Sequence, residues 1–106
     1  MDRIVITGKE FPVLFGLDGA LKPAADALGV PFEKMDDPQV MNMEKFPTIL
    51  WYAIKLGCEF EEKEFEIDLE KFKKFIQIHE MKKGLELFMQ AITGPTDPNA
   101  LSPEVK

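Results

Sequence analysis

The sequence predicts an α+β domain that is mostly α, an N-terminal β-hairpin packed on a bundle of about four to five helices. Three observations lead there. Apolar and polar residues alternate from residue 3 to 15 about a glycine, which is the period of paired strands. Residues 46 to 57 carry the only tryptophan, the only tyrosine and a single charge, Lys55, a composition suited to the centre of a fold. Between 17 and 28, and again between 69 and 92, apolar residues recur at helical spacing between recognisable start and stop signals.

In the hairpin, Ile4 and Ile6 alternate with Arg3, Val5 and Thr7, and Phe11, Val13 and Phe15 alternate beyond the turn. Gly8-Lys9 suits a two-residue turn with glycine first, setting Ile6 opposite Phe11 and Ile4 opposite Val13. In that register Pro12 faces Val5 at a hydrogen-bonded pair and has no N–H to give, so either a ladder bond is lost or the turn is longer. Leu17, Leu21, Ala24, Ala25 and Leu28 then share a helical face that Gly29 stops. Pro23 would clash with the carbonyl of Gly19 in a helix begun at Leu17, so a kink, or a helix starting near Pro23, is expected.

Asp37-Pro38 reads as a cap followed by proline at the first helical position, predicting a short helix from Pro38 to Lys45. The central helix follows from Phe46, with Pro47 in its first turn and Gly57 as its end. Residues 58 to 68 are acidic, and Glu64-Phe65-Glu66-Ile67 alternates as a short third strand would. Asp68 caps a helix carrying Leu69, Phe72, Phe75, Ile76 and His79 on one face. Met81, Leu85, Phe88, Met89 and Ile92 continue the spacing to Gly94-Pro95, with Gly84 marking close packing or a bend. Residues 2–94 are thus expected to form a single globular domain and 95–106 a flexible Pro-rich C-terminal tail.

Charge and composition narrow the function. A net charge of −6 opposes phosphate backbones and anionic lipid, so neither nucleic acid nor membrane is an expected partner. Nothing approaches the ~18 apolar residues of a membrane helix, Met1 to Ile6 meet a turn at Gly8 too soon for a signal peptide to be expected, and one cysteine rules out a disulfide framework; the expected location is the cytoplasm. No enzyme, cofactor or metal is expected. His79-Glu80 lacks the second histidine of a zinc motif, because Lys83 stands in its place. Cys58 lies beyond the negative end of the central helix, beside Glu59, where a thiolate is disfavoured. The carboxylates between Glu59 and Glu70 lack a calcium-loop pattern and the divergent environments that acid/base catalysis requires.

Binding remains. Met35, Met41 and Met43 cluster before the central helix, and methionine chains either fill gaps under a loop or form an adaptable contact surface. With Phe60 and Phe65 beyond that helix, they are the candidate partner-binding residues. An all-round apolar helix in so short a chain further predicts self-association into a homo-oligomer.

The order of elements resembles the small tail assembly chaperones of long-tailed bacteriophages and prophages. The resemblance covers residues 3 to 94: a hairpin like Ile4 to Phe15, a helix ending at a glycine like Gly29, an aromatic and leucine-rich helix like Phe46 to Gly57, an acidic connector, a helix like Leu69 to Ile78, and a closing apolar helix like Leu85 to Ile92. It implies a non-enzymatic protein of the bacterial host cytoplasm that coats the long helical tape-measure protein, keeps it soluble, and leaves as tail-tube subunits assemble around it. The tape-measure protein is then the expected partner and the tail-tube protein a second. It also implies that the segment after Gly94 is a junction to a second domain in a frameshifted longer form. A different reading stays open: a small acidic regulator or inhibitor that presents Glu59 to Glu70 to a basic protein.

Overall fold

The helix that the apolar stretch predicts is the axle of the structure, a computed structural model that describes residues 2–35, 37 and 42–93. Helix α2, Phe46–Phe60, buries nine of its residues, and Trp51, Tyr52 and Leu56 are half-buried beside them. Phe46, Ile49, Leu50 and Ile54 are among the largest side chains fully enclosed, each worth roughly 1.5–3 kcal/mol of burial. Around α2 are the antiparallel hairpin β1 (Asp2–Ile6) and β2 (Lys9–Val13) and three further helices, α1 (Lys22–Leu28), α3 (Leu69–Phe75) and α4 (Ile78–Thr93). Strand β2 lies on α2 and β1 lies against α4, so the fold is α+β and mostly α, as expected.

The hairpin corrects the expected register. Ile4 pairs with Phe11, Ile6 with Lys9 and Arg3 with Pro12, around a Thr7-Gly8 turn. Thr7 (φ 50°) and Gly8 (φ 84°) both occupy the left-handed region, the signature of a type I′ turn, whose twist matches that of the strands. Counted outward from this turn, Pro12 falls at a non-hydrogen-bonded pair, so its missing N–H costs the ladder nothing. The shift moves each partner by two residues and leaves the inward face unchanged, with Ile4, Ile6, Phe11 and Val13 all buried.

Pro23 is accommodated as follows. Residues Leu17–Leu21 form a turn of π-helical hydrogen bonding, with the Leu21 N–H donating to the Gly16 carbonyl at 2.9 Å, and α1 begins directly after it with Pro23 in its first turn. The wider turn carries the chain past the steric conflict with Gly19. Gly29 (φ 71°) ends α1 in the left-handed conformation, and a short 3-10 turn, Phe32–Lys34, follows.

Four other expectations are overturned. Gly57 does not end α2, which runs on to Phe60 and stops where Glu62 takes a positive φ. Gly57 instead allows backbone contact: a Cβ there would stand 2.5 Å from the Pro12 carbonyl oxygen, and one turn earlier the Ala53 carbonyl accepts the Leu14 N–H at 3.1 Å. Residues 42–45 form a turn, not the end of a helix; Asn42 Oδ1 accepts the N–H groups of Glu44 and Lys45, each at 3.0 Å, and leads the chain into α2. The expected start of that helix at Pro38 lies outside the described residues, as does the 95–106 tail. Residues 64–67 form no strand; the alternation appears as Phe65 and Ile67 tucked against α2 between exposed acids, with Trp51 Nε1–H donating to the Ile67 carbonyl at 2.8 Å. The face expected on α3 is also narrower, since Phe72 alone is buried, Phe75 is exposed and His79 lies exposed on α4.

Candidate helix-binding face

Helix α4 is held at its start by a buried carboxylate. Glu80 sits three residues into the helix and accepts the Gln77 N–H at 2.9 Å, half of a capping box. Its other oxygen accepts the Thr7 N–H at 2.6 Å, so each carboxylate oxygen has a main-chain donor although the residue is only 5% exposed. The same bond holds Thr7, a β-branched residue in the left-handed region, in its strained turn. One side chain thereby ties the hairpin tip to α4.

Further along, Gly84 brings α4 close to α2: a Cβ at that position would lie 2.8 Å from Leu50 Cδ2 and 3.1 Å from Phe46 Cε2. Glycine there reflects close packing, and Met81, Leu87 and Phe88 complete the inward face. Phe88 packs its ring against Phe46 and Phe15, with centroids 5.7 and 5.3 Å away. The inward face is therefore 80, 81, 84, 87 and 88. The expected face of Met81, Leu85, Phe88, Met89 and Ile92 is split, because Leu85, Met89 and Ile92 point out.

Those outward residues form a line. Ile78 (64% exposed), Leu85 (40%) and Ile92 (42%) follow one another at seven-residue intervals, about 10.5 Å apart along the helix. With Lys82 and the exposed Met89 between them, the spacing is that of a coiled-coil seam. Two apolar grooves open beside it. The first, about 220 Å³, is lined by Asn42, Met43, Phe46, Met81, Lys82 and Leu85. The second, about 200 Å³, is lined by Leu21, Phe32, Glu33, Met35, Phe88 and Ile92. The α4 residues of the two grooves correspond at the seam's own interval, Met81 with Phe88 and Leu85 with Ile92. Each groove is smaller than a typical cofactor pocket and of a size for one or two apolar side chains.

The structure divides the predicted contact residues. Met43 is half exposed on the wall of the first groove. Met35 is corrected: only 3% exposed, it lines the second groove as part of the core and offers no free surface of its own. Met41 lies outside the described residues. Phe60, 69% exposed, is at the far end of α2, some 20 Å of helix from Met43. Phe65 is half-buried between Phe11 and Trp51, with centroids 5.6 and 6.0 Å away, and serves to fasten the acidic connector. The four that are described therefore do not make one surface. Sequence reasoning did not single out Ile78, Leu85 and Ile92 as surface residues; the signal available was their seven-residue interval with Lys82 in the same row.

The acidic connector is partly neutralised. Glu61 receives Arg3 Nη2 at 2.9 Å and Lys63 Nζ at 3.2 Å, and the hydrogen bond from Lys63, followed by that from Arg3, holds its carboxyl below the usual range. Burial pushes the Cys58 thiol up, away from the thiolate a nucleophile needs. A wider cleft of about 630 Å³ near the hairpin tip has its charged groups already engaged: Glu80 by main chain, Arg3 by Glu61, Lys83 by Glu86. Among the described residues no three His, Cys, Asp or Glu side chains gather as a metal site, and no helix is long and apolar enough to cross a membrane. Comparison with known protein families, with curated proteins and with solved structures yields no match to this chain.

Proposed function

We propose that this protein is a non-enzymatic chaperone for apolar helices, of the kind that holds a phage tape-measure protein soluble during tail assembly and yields it to tail-tube subunits. The observation that carries the reading is the exposed line Ile78, Leu85 and Ile92 on α4 with an apolar groove on either half of its length. An amphipathic helix docks by laying an apolar face along such a surface, and exposed methionine at the rim adapts to different side chains. The net charge of −6 would keep a complex with a long apolar client dispersed.

The test is to mix the purified chain with an aggregation-prone protein built of long amphipathic helices and to follow light scattering at low salt and at about 1 M salt, where the Debye length falls to about 3 Å. Suppression of aggregation that persists in salt, and that is lost on Leu85→Glu, supports the chaperone reading. Binding confined to basic proteins and abolished by salt would replace it with the acidic-regulator reading, which Glu59, Glu62, Glu64 and Glu66, all exposed, would then carry.

A further inference from the structure

The outer face of α4 matches itself. An occupant that fills both grooves must offer large apolar side chains about 10.5 Å apart on one side. A helix does so with residues seven apart, whereas in a strand the residues on one face recur at ~6.7 and ~13.4 Å and miss the second groove. Ile78 and Leu85 of α4 are themselves seven apart and exposed. Laid antiparallel on another α4, Leu85 of the second copy falls at the level of the groove lined by Met81, Lys82 and Leu85, and Ile78 of the second copy falls at the level of the groove lined by Phe88 and Ile92. The twofold axis makes both contacts occur twice.

Charge fits the same register. Lys82 has no ion-pair partner among the described residues, and it lies in the seam, where it would face Glu86 of the second copy. Glu86 has Lys83 of its own helix 3.4 Å away, with one carboxylate oxygen uninvolved. Each Lys82 meets the Glu86 of the other copy in the antiparallel arrangement. A parallel arrangement in register would set Lys82 beside Lys82 instead, a repulsion without relief. A charged residue within a seam fixes register and orientation at a cost in strength.

We propose that the free protein is an antiparallel, twofold-symmetric dimer through α4, and that a client helix gains access to the grooves by displacing the second copy. The displacement rests on the helix-binding reading above; the dimer does not. A seam of four turns that includes a lysine is small, which suits a partner that must be exchanged.

Sedimentation of the full chain across the micromolar to millimolar range reads the dimer directly. The expected result is a concentration-dependent dimer, converted to monomer by Leu85→Glu and weakened about tenfold or more by Lys82→Glu, which brings like charges together. The double variant Lys82→Glu with Glu86→Lys restores the charge pattern in reverse and is expected to recover dimerisation, which a merely structural defect would not permit. Circular dichroism confirms that each variant is folded. A monomer at every concentration, a dimer indifferent to Leu85→Glu, or a double variant no better than its parents would overturn the proposal. Light scattering with the helical client, run in parallel, separates the two claims: a dimer without client suppression sinks the chaperone reading alone, and suppression by a monomer sinks the dimer alone.

Discussion

The two long faces of α4 are made of similar residues and have opposite fates. Inside are Met81, Leu87 and Phe88, together with Glu80 and Gly84; outside are Ile78, Leu85, Met89 and Ile92. Helical periodicity registers both as apolar and cannot say which one its own chain will cover. The features that choose the inner face are not the most hydrophobic ones. Gly84 admits Leu50 and Phe46 to the helix backbone, and Glu80 has two main-chain donors waiting. What remains outside is then an exposed apolar line, the surface on which the helix-binding proposal rests.

The contrast is broken most directly by truncating one residue on each face. Phe88→Ala removes a buried ring that packs on Phe46 and Phe15 and is expected to cost about 3–5 kcal/mol, whereas Leu85→Ala should stay within about 0.5 kcal/mol, both read by urea unfolding at low protein concentration. Equal effects would mean that the outer face is covered within the monomer. The role assigned to glycine is tested next. Gly57→Ala drives a methyl into the Pro12 carbonyl, a main-chain group that cannot step aside, and should cost about 2 kcal/mol net despite a helix-propensity gain of about 1 kcal/mol. Gly84→Ala meets the end of the Leu50 side chain instead, which can shift, so its net effect should lie within about 1 kcal/mol of zero; comparison of the two melting temperatures checks the order.

The smallest change probes the carboxylate. Glu80→Gln keeps shape and size but turns one acceptor into a donor facing a main-chain N–H, so stability should fall by about 1–2 kcal/mol. Amide exchange at Thr7 and Gln77 should accelerate with it, localising the loss to the hairpin tip and the start of α4. Unchanged exchange at both positions would show that Glu80 is not what joins them.

Much of the fold was legible because local rules decided it. Alternation gave the hairpin, Asp68 capped α3 through the Lys71 N–H at 2.7 Å, Gly29 ended α1, and the apolar run 46 to 57 became the buried centre. The site was legible in part: Met43 lies at a groove and Met35 beneath another, but Phe60 and Phe65 belong elsewhere. Leu85 and Ile92 could not be told from the inward residues because an amphipathic pattern carries no label for the partner that buries it.

The sequence by itself determined the order of the hairpin and the helices, since capping, turn chemistry and periodicity act over a few neighbouring residues. The tertiary structure alone decided three things. It set the hairpin register, where Pro12 had to fall at a pair that asks nothing of its nitrogen. It carried α2 through Gly57, where the strand's main chain comes too near for any Cβ. It turned α4 so that Ile78, Leu85 and Ile92 stayed outside. Each depends on atoms far apart in the chain meeting at contact distance, which is information that no local window of sequence holds.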